Sequence, residues 1–357
     1  MNVLILATHL NPGGISRYVL NLSKGLIKQG HRVLVASSGG DWVEILENSG
    51  AVHKTIPIKT KSIASMKVWV SFLFIKKMIL EEKIDIVHSN TRVTQFLGGL
   101  IYCFLKVPYL SVYHGFYRPG LFRRFFPFSG VLSIAVSKKV RRHLIRDLWI
   151  SEKKIRVVYN GVDLDEFFPG QCRKQDQGFS AGDFLIGILG RVSQEKGHFL
   201  AVEAMKKLLD RYKNIYLVIS GEGKLKEKLE KLLAAENLGQ QVRFLVLPPG
   251  QFLDLIDLLI VPSAKEGFGY SVIEAFAKKV PVIGYCTGGI PEIIRSRENG
   301  ILFYNYEPYA LAAAIEEVMS DDSLREKIVT AAAEDVFQFS LTQMALETLK
   351  VHQEILE

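Results

Sequence analysis

Cysteine is scarce: Cys103, Cys172 and Cys286 are the only three in 357 residues. An odd and widely spaced set builds neither a disulfide framework nor a metal-ligand cluster, which points to a reducing, cytoplasmic compartment. Long apolar runs are also missing. The most apolar stretch, residues 68–80, is broken by Lys76 and Lys77 and falls short of the ~20 residues a spanning helix needs. The first residues, Met1-Asn2-Val3-Leu4-Ile5-Leu6-Ala7, lack a basic start and read as a buried strand rather than a secretory leader. No short repeat or low-complexity tract is present. Apolar residues make up 48% and charged residues 23%, so disorder is excluded as well. At roughly 100–200 residues per domain, the length predicts two domains.

Acidic charge is short in one half only. Residues 1–170 carry 24 Lys+Arg against 11 Asp+Glu, whereas residues 171–357 carry 21 against 26. The excess concentrates in residues 59–156, with 19 basic and 5 acidic side chains. That asymmetry predicts a polyanionic partner for the N-terminal half, with nucleic acid and an anionic membrane both satisfying it.

Short apolar runs alternate with longer helical patterns. Strands are predicted at 3–7, 32–37, 84–88, 109–113, 132–136 and 155–159, with helices at 15–29, 63–82, 94–105 and 138–147. The pattern restarts with strands at 184–189, 216–220, 242–247, 258–261 and 280–284. Helices follow at 199–212, 224–236, 271–278 and 309–319. Strands without polar alternation, separated by helices, predict parallel sheets covered on both faces. The fold class is therefore α/β, with two Rossmann-like domains whose sheets face a cleft. The expected division is 1–168, a polar linker at 169–183, and 184–337. A helix at about 338–357 is expected to pack back onto the first domain.

Ligands bind outside the carboxyl ends of parallel strands, so residues just after predicted strands are the candidates. Glu266-Gly267-Phe268-Gly269 follows one strand and opens a helix that carries Glu274. Gly267 and Gly269 allow close backbone approach, and the helix start offers free N–H groups to phosphate. The carboxylates suit paired sugar hydroxyls. Taken singly, each glutamate fits equally well as an exposed side chain beside a capping turn. Gly190-Arg191 and Glu195-Lys196-Gly197 follow another strand. A guanidinium fork and an ammonium together suit a diphosphate, although two solvated surface charges would look the same.

The glutamate pair, Gly190-Arg191, Lys196-Gly197 and Gly13-Gly14 after the first strand resemble the family 4 glycosyltransferases, also called glycosyl transferases group 1. His114-Gly115, Gly221-Glu222-Gly223 and Gly288-Gly289-Ile290-Pro291-Glu292 extend the resemblance in order along the chain, to about residue 340. The family implies the GT-B fold, an N-terminal acceptor domain and a C-terminal nucleotide-sugar domain. It implies Arg191 and Lys196 at the donor diphosphate, Glu274 at the ribose and Glu266 at the sugar hydroxyls. Gly13 and Gly14 would bring backbone N–H groups to the phosphates, and His114 would face the sugar near the reacting carbon. Counted as catalytic are Arg191, Lys196, Glu266 and His114. Counted as donor-binding are Gly13, Gly14, Gly190, Gly267, Phe268, Gly269 and Glu274.

The resemblance implies front-face attack by the acceptor with retention of configuration, the leaving phosphate taking the proton. A UDP-sugar is the favoured donor. Val246-Leu247-Pro248-Pro249-Gly250 departs from the family's loop, which leaves the base open among UDP, GDP and ADP. No metal or other cofactor is expected. Asp163-Leu164-Asp165 spells a DxD but follows Asn160-Gly161 and reads as a turn and helix cap.

On the acceptor side, Phe116 to Phe128 interleaves aromatics with Arg118, Arg123 and Arg124, with Phe125 among them. Such a mixture suits an anionic bilayer surface. Residues 63–82 mix Trp69, Phe72 and Phe74 with lysines, and a helix whose aromatics pack on the sheet accounts for them equally well. The expected acceptor is an envelope glycan or a lipid-linked intermediate at the cytoplasmic face of a membrane, and nucleic acid is not an expected partner. Two other readings remain. A nicotinamide oxidoreductase needs a GxGxxG turn that Thr8 to Arg17 lacks. A non-catalytic or epimerase-like GT-B protein would keep the same donor contacts.

Overall fold

The structure, a computed structural model, describes residues 1–167 and 172–357. It divides into unit 1, Met1–Val162 with Phe339–Glu357, and unit 2, Asp163–Gln338.

Unit 1 is a seven-stranded parallel sheet of β1 (Asn2–Leu6), β2 (Arg32–Ser37), β3 (Val52–Thr55), β4 (Ile86–Ser89), β5 (Tyr109–Tyr113), β6 (Leu132–Ala135) and β7 (Ile155–Val157). The spatial order is β3-β2-β1-β4-β5-β6-β7. The central strands are buried on both faces, which is why they read as unbroken apolar runs. β3 was not predicted. Its Val-His-Lys-Thr sequence is half exposed at the sheet edge and carries too little apolar signal. Helix starts are fixed by side-chain caps: Thr91 and Thr94 form a capping box, and Ser137 and Ser340 each accept from a backbone N–H.

The last helix, Leu341–Leu356, packs on Gly14–Lys28 inside unit 1. The helices cross closely at Gly25, where an added Cβ would lie 2.9 Å from Ala345 Cβ. The same helix sets His352 edge-on against His88 of β4, ring centroids 5.0 Å apart, both fully buried. Burial, then the neighbouring His352 and His114, hold His88 well below the ordinary 6.5. Burial first, then His31, pushes His352 down to about 3. Both rings are therefore neutral in the folded state. Below pH 6.5 the unfolded chain takes up protons that the folded chain refuses, so stability falls as pH drops from about 6.5 toward about 3. Each histidine contributes a slope of about 1.4 kcal/mol per pH unit. Urea unfolding midpoints should be flat above pH 7 and decline below pH 6. His352→Phe, which keeps a ring, should make the decline shallower; an unchanged slope would rule the pair out as its source.

Unit 2 is a six-stranded parallel sheet of β8 (Phe184–Leu189), β9 (Ile215–Ser220), β10 (Val242–Phe244), β11 (Leu258–Val261), β12 (Val282–Tyr285) and β13 (Ile301–Phe303), in the order β10-β9-β8-β11-β12-β13. A helix missed in the sequence, Asp322–Asp335, buries only Leu324, Ile328 and Ala332, a stripe too thin to stand out. In both units the chain order reverses beside the first strand, between β1 and β4 and between β8 and β11. Ligands of such sheets bind at these switch points.

The segment read as a linker behaves differently over its described part. Residues 172–183 pack on unit 2: Lys174 Nζ lies 2.6 Å from Asp257 Oδ2, and buried Phe179 sits 4.5 Å beneath the Arg243 guanidinium. An ion pair and a buried ring tie down a stretch whose composition alone looks free. Pro169, Gly170 and Gln171 of that expected linker lie outside the described residues.

Helix Met66–Glu82 meets the packed-aromatic reading only at Phe72, which packs against the core. Val68, Ser71, Ile75, Met78 and Ile79 face inward, while Met66, Trp69, Leu73, Phe74 and Leu80 are exposed. The helix is apolar on both faces, and the core takes the one that carries Val68, Ile75 and Ile79.

Candidate active site

At the end of β8, Gly190 turns the chain at φ +147° and Arg191 emerges exposed. Among the described residues Arg191 makes no hydrogen bond or ion pair. Its turn is held from behind. Val192 is buried, its N–H donates to the Glu222 carbonyl at 3.0 Å, and Gly190 N–H donates to Ser220 O at 2.9 Å. The Gly221-Glu222-Gly223 turn fits only because its glycines lack side chains. A Cβ on Gly221 would lie 2.0 Å from Gly190 O, and one on Gly223 2.2 Å from Val192 O.

Residues Gln194–Lys196 form a 3-10 turn closed by Gly197 at φ +75°. Lys196 Nζ donates to Glu266 Oε2 at 2.6 Å, with side chains 28% and 16% exposed. The two loops are stitched by Ala264 N–H donating to Glu195 O at 2.8 Å. Behind Lys196, His198 is buried and pushed down to about 4, first by desolvation and then by that lysine, so no second cation competes there.

Glu266 is placed by the chain after β12. Gly289 N–H donates to the Glu266 carbonyl at 3.0 Å, and a Cβ on Gly288 would fall 1.7 Å from that oxygen. The loop continues through Gly267 and buried Phe268 to Gly269, which precedes helix Tyr270–Ala277 at φ +123°. That helix has no side-chain N-cap hydrogen bond, and Glu274 is buried within it. Gly190, Arg191, Lys196, Glu266, Gly267, Phe268, Gly269 and Glu274 thus belong to two loops and one helix following the neighbouring strands β8 and β11.

The remaining sequence candidates lie in unit 1. Gly13 precedes helix Gly14–Lys28, which also lacks a side-chain cap, and an added Cβ on Gly14 would meet nothing within 4 Å. Packing in this structure therefore leaves Gly14 room for a side chain. His114 follows β5. Its Nε2 lies 3.1 Å from Asn90 Oδ1, its backbone N–H donates to Tyr117 Oη at 3.2 Å, and the Tyr18 ring meets it edge-on at 4.7 Å. Burial pushes His114 down to about 3. Asn90, Tyr18 and Tyr117 were not singled out in the sequence, where nothing marks a residue 24 positions away as a partner.

The basic aromatic segment forms a short helix, Leu121–Phe125, with no buried residue. Arg118 is exposed. Arg123 stacks 5.0 Å over the Tyr117 ring, and Arg124 donates to Asp147 O while stacking 4.6 Å over Trp149. Phe125 is 67% exposed, beside exposed Leu121, Phe122 and Phe126. Asp163 precedes, and Asp165 lies within, the 3-10 turn Leu164–Phe167. Among the described residues no group of three or more His, Cys, Asp or Glu is placed to hold a metal ion. No described helix is long and apolar enough to cross a membrane.

Residues 172–335 match the family Glycosyl transferases group 1, and residues 12–166 match Glycosyltransferase Family 4. An uncharacterized glycosyltransferase of Methanocaldococcus jannaschii is 28% identical, over 97% of this chain and 95% of its own length. A glycosyltransferase crystal structure from Rickettsia africae superposes with a TM-score of 0.87 at 25% identity, covering 100% of this chain and 98% of the other. The Anabaena protein HepE in complex with UDP-glucose superposes at 0.85 and 20% identity, covering 99% and 100%, and shares the fold. The two family matches fall on the two parallel-sheet units, whose neighbours are GT-B structures, and the chain belongs to the family 4, group 1 glycosyltransferases of the GT-B fold.

Proposed function

We propose that the protein transfers a sugar, with retention of configuration, from a nucleotide diphosphate sugar to an envelope glycan or lipid-linked acceptor. The observation that carries this reading is the Lys196–Glu266 pair at 2.6 Å beside exposed Arg191, all at the switch point of unit 2. Breaking the glycosidic bond to a diphosphate leaves negative charge on the departing phosphate. Arg191 and Lys196 are cations set to meet it, beside the start of helix Tyr270–Ala277, whose N-cap residue is Gly269. Glu266 holds sugar hydroxyls, Glu274 holds the ribose, and Gly13 and Gly14 let backbone N–H groups approach the phosphates. His114, neutral by burial, contacts the sugar without carrying charge. Two side-chain cations supply the electrostatic work, so the proposed reaction uses no metal. The acceptor attacks from the face the phosphate leaves, and that phosphate takes its proton.

A UDP-sugar is the proposed donor, in keeping with the UDP-glucose bound by HepE. A thermal-shift screen of UDP, GDP and ADP checks this. A nucleotide at a hundredfold excess over its Kd stabilises by about 2.7 kcal/mol. UDP should raise Tm most; no shift with any of the three would remove the donor assignment.

The proposed acceptor side is unit 1, at an anionic membrane surface. Support comes from the basic excess of residues 59–156 and from two sets of exposed apolar side chains. One is on helix Leu121–Phe125 and the other on Met66–Glu82. Arg123 and Arg124 are engaged by Tyr117, Trp149 and Asp147 O, so they brace the Leu121–Phe125 helix, while exposed Arg118 faces phosphate headgroups. The protein should float with vesicles containing 30% phosphatidylglycerol at low salt and be released as salt rises. Failure to float at low salt would end the membrane proposal.

A further inference from the structure

His114 is held by its neighbours in a way that decides which of its ring nitrogens carries the proton. Asn90, at the end of β4, is fully buried. Its Nδ2 donates to the Leu6 carbonyl of β1 at 3.2 Å. A carbonyl only accepts, so the amide cannot be turned over without opposing two acceptors. Asn90 Oδ1 therefore faces His114 Nε2 at 3.1 Å, and that nitrogen must be the donor. The loop is fixed from the other side as well. His114 N–H donates to Tyr117 Oη, Tyr117 N–H donates to His143 Nε2 at 2.9 Å, and His143 Nδ1 lies 2.6 Å from Asp147 Oδ2.

We propose that Asn90 is a positioning residue that locks His114 as the neutral Nε2–H tautomer, so that Nδ1 is presented to the sugar as a hydrogen-bond acceptor. Among the described residues Nδ1 makes no hydrogen bond. A lone pair at that position accepts from a neutral hydroxyl and repels a carboxylate, so this side of the site selects for a hydroxyl. The titratable groups around the ring do not charge it. Tyr18 of helix Gly14–Lys28 and Tyr117 are raised by burial, and His88 of β4 is held neutral. No carboxylate contacts His114 among the described residues. Burial keeps the ring uncharged well below neutral pH. His114 is thus neither a general acid nor a general base in the working range. The functional half of the proposal rests on the reading that His114 meets the transferred sugar; the tautomer does not.

The tautomer is read in the full-length protein without any donor. Long-range proton–nitrogen NMR on histidine-labelled protein, with His114 assigned by its loss in His114→Gln, should show Nε2 protonated and Nδ1 bare from pH 5.5 to 8. A proton on Nδ1, or a ring that titrates in that range, would overturn the lock. Asn90→Asp places a carboxylate against Nε2 and should bring the His114 titration into the neutral range, adding an ionisation to the pH profile of kcat/KM. Asn90→Ser should lower kcat/KM about tenfold without adding that ionisation. Wild-type kcat/KM and pH profile in both folded variants would overturn the functional half even where the NMR supports the lock.

Discussion

Lys196→Ala is expected to lower kcat by two to three orders of magnitude, with Arg191→Ala producing a loss of similar order. Removing one fixed donor from a site of developing negative charge costs roughly 3–4 kcal/mol in the transition state. The two variants separate chemistry from folding. Arg191 is exposed and has no partner among the described residues, so its loss leaves Tm unchanged. Lys196 is half-buried against Glu266, so Lys196→Ala also strands a carboxylate that is 16% exposed, and a small fall in Tm accompanies it. In the donor-free protein the ammonium is already committed to Glu266. Diphosphate binding would therefore draw Lys196 from, or share it with, the carboxylate proposed to hold the sugar, so Lys196→Ala should raise KM as well as lower kcat. Steady-state kinetics on both variants measure this. Near-normal turnover in both would remove the leaving-group assignment.

Gly288→Ala should be the most damaging substitution outside the charged residues. Its Cβ would lie 1.7 Å from the Glu266 carbonyl, and the backbone sits at φ +57°. The left-handed conformation alone costs an alanine roughly 1–2 kcal/mol. Relief of the contact requires the Glu266 backbone to move, which breaks the Gly289 N–H bond that holds it. A displacement of about 1 Å at a reacting centre costs on the order of a hundredfold in rate. The expected result is a kcat/KM reduced about a hundredfold with a protein that still folds at a lower Tm. Gly14→Ala supplies the contrast. No atom lies within 4 Å of its added Cβ, so Tm should hold while donor affinity falls. Unchanged kcat/KM in Gly288→Ala would show that the β12 turn does not set Glu266.

The sequence already pointed to the loops after β8 and β11, because a buried parallel strand announces itself as an apolar run and its carboxyl end is where ligands bind. That rule placed Arg191, Lys196 and Glu266 among the candidates, and the family resemblance gave them their expected roles. What held those loops in place was not legible. Gly288 meets Glu266, Gly221 meets Gly190, and Asn90 meets His114 through contacts between separate strand ends, which no local pattern encodes. Edge strands such as Val52–Thr55 were lost because half-exposure dilutes their apolar signal. Helix Met66–Glu82 misled for the opposite reason. Apolar residues on both faces give no period from which to choose the buried one, and the structure buries Val68 and Ile75 while leaving Trp69 and Phe74 outside. The 172–183 segment shows that polar composition does not make a spacer when one lysine finds Asp257 and one phenylalanine finds a slot.

Crystals soaked with a UDP-sugar test the central assignment most directly. The account predicts the diphosphate oxygens within hydrogen-bond reach of Arg191 and Lys196, with Glu266 turned from the lysine to the sugar hydroxyls. A diphosphate bound away from the loops that follow β8 and β11 would contradict it.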